Sequence, residues 1–141
     1  MTEAALRLIL NDGISGLAQA QRRLVSFLAA AGCDTRTLFR VELVIEEVVM
    51  NILHHGQPAD RPARSWLEAW PAYGHVAIAV EDDGPAFNPL QVVFVSLADR
   101  LEDATIGGLG LFLVRRYAAG LRYVRTPAGR NRLEIEISRG G

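Results

Sequence analysis

Leu6, Leu8 and Leu10 alternate with Arg7 and Ile9 and run into Asn11-Asp12-Gly13, a pattern that predicts a short first strand. From Ile14 to Ala31 the period changes. Leu17, Leu24, Val25 and Leu28 return at helical spacing, and Gly32 ends the helix. Asp34 or Thr35 can cap a second helix that runs to about His55 and stops at Gly56. Its stripe of Leu38, Val41, Ile45, Val48 and Ile52 is joined by Leu43, Val49 and Leu53, and a helix apolar on more than one side is usually deeply buried. After a proline-containing loop over 57–64, residues 65–70 and 76–80 alternate as two strands, with Pro71-Ala72-Tyr73-Gly74 as the turn of a hairpin. Residues 88–106 show no period and end at a Gly-Gly pair, which in a compact domain reads as a lid. A helix from Gly107 to Ala119 follows, then strands 121–125 and 132–138 joined by Pro127-Ala128-Gly129.

The order β-α-α-β-β-lid-α-β-β places hairpins at the end of the chain. It predicts an α+β fold: a two-layer sandwich of a mixed, mainly antiparallel sheet with helices on one face. In the last strand Leu133, Ile135 and Ile137 point one way and Glu134 and Glu136 the other, so one sheet face is solvated or meets a partner. Trp66 and Trp70 share a strand face with Glu68 and lie on that open face if the opposite parity packs on the helices. No internal repeat or second domain is evident, so residues 1–141 read as one domain.

Composition narrows the function. The chain is 50% hydrophobic and 22% charged with a formal net charge of −1, the reverse of a disordered or nucleic-acid-binding balance. Its arginines are spread among acidic residues, with Arg115, Arg116 and Arg122 the one local basic group. No basic n-region opens the sequence and no run approaches the roughly 18 apolar residues of a membrane span, which points to the cytoplasm. Cys33 is the single cysteine, so an intrachain disulfide is excluded and the bland reading is a buried or loop thiol.

Three groups of residues suggest chemistry. Glu47 and Asn51, four residues apart, share a helix face, and Asn51 lies roughly 80° from the centre of the apolar stripe. Its amide oxygen is a hard, neutral ligand suited to Mg²⁺, and Glu47 is placed to orient or deprotonate a nucleophile. Asp82 ends an apolar strand, where a carboxylate can accept from an exocyclic amine, and Gly84 permits close backbone approach. Gly107-Gly108-Leu109-Gly110-Leu111 opens a helix, where free N–H groups and the helix dipole attract phosphate. It is neither a Rossmann fingerprint nor a P-loop. Taken singly, each group has an ordinary explanation: a backbone-satisfied asparagine, an Asp-Asp-Gly turn, a glycine hinge. His54 and His55 point about 100° apart on a helix and read as helix-end histidines rather than metal ligands.

Taken in order, Glu47-x-x-x-Asn51, Asp82-x-Gly84-x-x-Phe87 and Gly107-Gly108-Leu109-Gly110-Leu111 resemble the asparagine box and the two glycine boxes of the gyrase/Hsp90/histidine-kinase/MutL ATPase superfamily. Within it, the stretches EEVVMNILHHG, EDDGPAFNP and IGGLGLFLVRRYA resemble the anti-sigma-factor serine/threonine kinases of bacterial partner switching, over nearly the whole chain. The resemblance implies the Bergerat ATP-binding fold, with ATP and Mg²⁺ as cofactors. Asn51 would hold Mg²⁺, Asp82 the adenine amine, and Glu47 would be the general base. Gly84 would line the base, Gly108 and Gly110 would cradle phosphates, and His55, Phe87, Gly107, Leu109 and Leu111 would complete the cofactor site. The implied partners are an anti-anti-sigma (STAS-type) protein bearing the acceptor serine, a sigma factor, and a second copy in a homodimer.

Two departures accompany the resemblance. Gly129 is followed by Arg130 and Asn131 where relatives often carry a threonine, and LEDAT before the glycines has no basic residue. Arg100, Arg115 and Arg116 are the nearest cations for a γ-phosphate. Two other readings stay open on sequence alone: an ATP-gated adaptor or anti-sigma factor without phosphoryl transfer, and a detached histidine-kinase catalytic domain.

Overall fold

The structure, a computed structural model, describes residues 6–11, 13–56, 58, 60–91 and 114–139. The predicted lid beyond 91, the glycines at 107–111, and Arg100 lie outside the described residues. Strand β1 (Leu6–Leu10) leads to helices α1 (Gly13–Ala30) and α2 (Thr35–His55), then strands β2 (Ser65–Ala72) and β3 (His75–Asp82). A 3-10 turn at Pro89–Gln91 and a helical turn at 114–117 precede β4 (Gly120–Arg125) and β5 (Asn131–Ser138).

The strands form one sheet in the order β1-β2-β3-β5-β4. The expected mainly antiparallel sheet is thus found, and all four described pairings are antiparallel. Cross-strand register explains which face is buried. The rows Leu8–Leu67–Val80–Leu133 and Ala69–Ile78–Ile135 lie on one face, and every one of these residues is buried. Helix α2 crosses β3 and β5 on that face, while α1 packs on α2 and β1. Leu24 and Leu28 of α1 and Val41, Val44 and Ile45 of α2 are fully buried between helices and sheet. Non-directional apolar burial accounts for this two-layer arrangement, because each helix stripe and the sheet face can leave water only against the other.

Local chemistry sets the helix ends. Asp34 is the N-cap of α2: its side chain accepts a hydrogen bond from Thr37 N at 2.9 Å, and hydrogen bonding from Thr37 holds its carboxyl below the usual range. Gly32 takes φ +92°, the left-handed conformation that closes α1, and Cys33 N donates to Leu28 O at 3.0 Å beyond it. Cys33 is buried, as the bland reading of a lone cysteine expects, and burial pushes its thiol up.

The turn between β2 and β3 is tighter than the sequence pattern suggests. Pro71 and Ala72 remain in the strand, opposite Val76 and His75, and only Tyr73-Gly74 turn, with Gly74 at φ +84°. Proline is tolerated there because β1 pairs with β2 only as far as Leu6↔Ala69 among the described residues, so no described strand needs an N–H from Pro71 on that side.

Away from the helices, the open face carries Trp66, Trp70 and a set of ion pairs. The Arg132 guanidinium bonds Glu68 and Glu81 at 2.6 Å each and Glu134 at 2.9 Å, and Arg7 bonds Glu68 at 2.8 Å. Burial alone would raise the Glu68 carboxyl, but the hydrogen bonds from Arg132 and Arg7 outweigh it and hold Glu68 low. The guanidinium of Arg130 lies 3.7 Å from the ring centre of Trp66. The tryptophans therefore sit where their parity placed them.

Candidate functional site

At one end of the sheet the buried rows change character. After Leu67, Val80 and Leu133, the next helix-facing row is Ser65, Asp82 and Asn131, all three buried. This polar row lies beneath the last turns of α2, where the cleft is lined by Val48, Asn51, Ile52 and Gly56 from the helix side. The sheet supplies Val80, Asp82, Tyr123, Asn131 and Leu133, and the segment after β3 supplies Phe87 and Pro89. The cleft encloses about 450 Å³, counting the part open to solvent. Apolar walls with a few convergent polar groups are the usual makeup of a small-molecule site.

Asp82 and Asp83 are adjacent yet electrostatically opposite. Burial pushes the Asp82 carboxyl up, only partly offset by hydrogen bonds from Asn131 and Gly84. Asp83 points the other way, where Arg61 and the Arg64 backbone N–H outweigh its burial and hold it low. Strand alternation alone separates them: one carboxylate faces the cleft and its neighbour ties down the 61–64 loop.

In Asp82, Oδ1 accepts from Gly84 N and from Asn131 Nδ2, each at 3.0 Å, while Oδ2 has no donor among the described residues. Asn51 is only 8% exposed, and its side chain has no hydrogen-bond partner among the described residues. Both residues line the cleft, where their oxygens can meet a ligand. A carboxylate oxygen with room for one donor fits an exocyclic amine, and an amide oxygen fits a hard divalent cation.

Of the residues singled out in the sequence, Asn51, Asp82 and Phe87 come together in the cleft. Glu47 lies one turn N-terminal to Asn51, half-buried but outside the cleft lining, and burial followed by the charge of Glu46 pushes its carboxyl up. Gly84 does not line the cleft either. It lies where a Cβ would come within 2.0 Å of the Gly56 carbonyl oxygen, so its glycine character serves close packing against the end of α2. The side chain of His55 and residues Gly107, Gly108, Leu109, Gly110 and Leu111 lie outside the described residues. His54 is exposed, and no group of three metal-ligating His, Cys, Asp or Glu occurs among the described residues. Arg115 donates to Leu90 O at 2.6 Å, which links the 3-10 turn to the helical turn at 114–117.

Sequence reasoning missed Tyr123 and treated Asn131 only as a departure from threonine. The signal was present in strand parity. Asn131 lies two residues before Leu133 and Tyr123 two residues after Leu121, so both fall on the helix-facing side of their strands. A polar residue at a core parity position marks a site or a satisfied network.

This fold and cleft define an ATPase-type domain. The chain belongs to the histidine kinase-like ATPase domain family, whose profile residues 14–136 match, and membership implies an ATP site. It is similar to the serine/threonine-protein kinase BtrW of Bordetella bronchiseptica, with 33% identity over 92 residues. The matched stretch spans 65% of this chain and 65% of that protein's length. It is also similar to a chain of the SiaB-SiaC complex from Pseudomonas aeruginosa, with a TM-score of 0.57 and 14% identity. That match covers 96% of this chain and 90% of the other, and at such identity the likeness shows the fold. No helix among the described residues is long and apolar enough to cross a membrane.

Proposed function

We propose that the cleft binds Mg-ATP and that the chain is a protein-serine kinase and anti-sigma factor, phosphorylating a serine of an anti-anti-sigma (STAS-type) partner and sequestering a sigma factor. The observation that carries this reading is the meeting of Asp82 and Asn51 in one apolar-walled cleft, where Asp82 Oδ2 has no donor among the described residues. ATP and Mg²⁺, when bound, supply the transferable phosphoryl group and the charge to stabilise its transfer. Asp82 Oδ2 would accept from the exocyclic amine of the base, and the Asn51 amide oxygen would be the protein ligand to the cation. Val80, Leu133 and Ile52 exclude water from the base. Glu47 takes the proton of the attacking serine hydroxyl, and burial, which pushes its carboxyl up, makes it a stronger base. Similarity to a kinase named for serine/threonine specificity supports the acceptor.

The test is calorimetric ATP titration with and without Mg²⁺, followed by transfer of labelled γ-phosphate to STAS-type proteins. Mg-dependent binding with an acid-stable phosphoserine is the expected result. Absence of nucleotide binding would overturn the whole reading. The second reading, an ATP-gated adaptor without transfer, is favoured by the acidic LEDAT segment and by the engagement of Arg115 with Leu90 O. Binding without transfer to any partner would select it.

Self-association belongs to the same proposal and is assigned to the open sheet face. There Trp70 Nε1 is buried without a hydrogen-bond partner among the described residues, beside a groove lined by Arg122, Glu134 and Glu136. A Trp66→Ala, Trp70→Ala double variant is expected to sediment as a monomer where the wild type sediments as a dimer. An unchanged profile would remove this face as the contact.

A further inference from the structure

We propose that Asn131 is the positioning residue for base recognition, holding Asp82 in the one orientation that selects an exocyclic amine. The inference rests on the ATP-binding reading of the cleft and assigns it a specificity determinant. Asn131 is 7% exposed, and its amide is fully engaged. Nδ2 donates to Asp82 Oδ1 at 3.0 Å and to Pro85 O at 2.8 Å. Oδ1 accepts from Tyr123 Oη at 2.6 Å, from Phe87 N at 3.1 Å and from Arg125 Nη1 at 3.2 Å.

These partners leave no ambiguity about which way the amide points. A backbone carbonyl can only accept, and a backbone N–H and a guanidinium can only donate, so the flipped amide would face mismatched groups on both sides. Both N–H groups are used and the oxygen has three donors, so Asn131 has no capacity left for a ligand. Its influence on a nucleotide must pass through Asp82. With Oδ1 occupied by Asn131 and Gly84, only Oδ2 can accept from a base. The same amide grips the backbone at Pro85 and Phe87, so the carboxylate and the cleft wall after β3 form one hydrogen-bonded unit.

This predicts a defect in selectivity rather than in binding as such. The test compares, by calorimetry, the affinity for ATP with that for inosine triphosphate, which carries a carbonyl in place of the amine. Asn131→Leu keeps the size but removes both donors, to Asp82 and to Pro85 O, without adding a titratable group. ATP affinity is expected to fall about 10–100-fold, the worth of a hydrogen bond to a charged group, while inosine triphosphate affinity changes little. Loss of overall stability would lower both affinities together, so the ratio isolates positioning. Tyr123→Phe removes one donor to Asn131 without touching the backbone and is expected to lower the ratio about 3-fold. This variant keeps the test open if Asn131→Leu does not fold. An unchanged ratio in folded variants, with the ratio lost in Asp82→Asn, would overturn the role of Asn131 and leave the ATP reading standing. Failure of the wild type to bind ATP would overturn both, and is read before any variant is compared.

Discussion

Glu47→Gln is expected to reduce phosphoryl transfer by roughly 10²–10⁴-fold, the range for a positioned general base, while ATP binding stays within error of wild type. The separation follows from geometry, since Asn51, Asp82 and Phe87 line the cleft and Glu47 does not. A pH profile sharpens the prediction. Burial first, and the charge of Glu46 second, push the Glu47 carboxyl up. The base works only when deprotonated, so transfer should be lost on the acid side at a pH above the ordinary glutamate range. Glu46→Gln removes the neighbouring charge and should move that limb to lower pH without abolishing transfer. The sign for stability is opposite to that for activity. A carboxylate whose folded pKa is raised binds its proton more tightly in the folded state, so it costs stability above that pKa and the cost disappears as pH falls through it. Glu47→Gln should therefore melt slightly higher than wild type at neutral pH while losing activity. Transfer that survives would remove Glu47 from the role of base, and a melting point that falls would show that its burial carries no cost.

The second large effect is structural and lies at Gly84. A Cβ there would stand 2.0 Å from the Gly56 carbonyl oxygen and 3.1 Å from its carbon, both backbone atoms that no rotamer change can move aside. Gly84→Ala must instead separate the end of α2 from the loop after β3, and these are the two elements that bring Asn51 and Asp82 to one cleft. A loss of about 3 kcal/mol, the upper part of the overpacking range, is expected, with a melting point lower by roughly 6–12 °C. Nucleotide affinity should fall with it, because the Gly84 N–H also bonds Asp82 Oδ1. Gly74→Ala is the control: Gly74 has φ +84° but nothing within 4 Å of its Cβ position, so it carries only the left-handed backbone cost of about 1 kcal/mol. Equal losses in the two variants would show that close packing of Gly84 on Gly56 has no special weight.

The elements nearest in the chain were the most legible. Alternation in Leu6–Leu10, the three-and-four spacing through α2 and the Asp34 cap are local properties, and the structure places each within a residue or two of where the pattern put it. The hairpin between β2 and β3 was read too wide because proline was weighed as a turn residue. The absence of a described neighbour beyond Ala69 is a tertiary fact that local propensity does not contain. Asn51 and Asp82 were legible because they stand near the end of α2 and at the end of β3, and Phe87 because it completes the Asp82-x-Gly84-x-x-Phe87 motif.

What the sequence determined by itself is the layer architecture, the buried stripe of α2, the inward parity of β5 and the family to which the chain belongs. All of these depend on periodicity or on short motifs, which survive without any knowledge of what lies opposite. Tertiary structure decided the roles that need two distant segments at once. Asn131 became the hub of the cleft only because β5 pairs with β3 in a register that sets it against Asp82. The glycine at 84 acquired its packing role only because Gly56, ending a helix 28 positions earlier, reaches it. Register and close approach between segments are set by the packing of the whole chain, and no local pattern of apolar and polar residues encodes them.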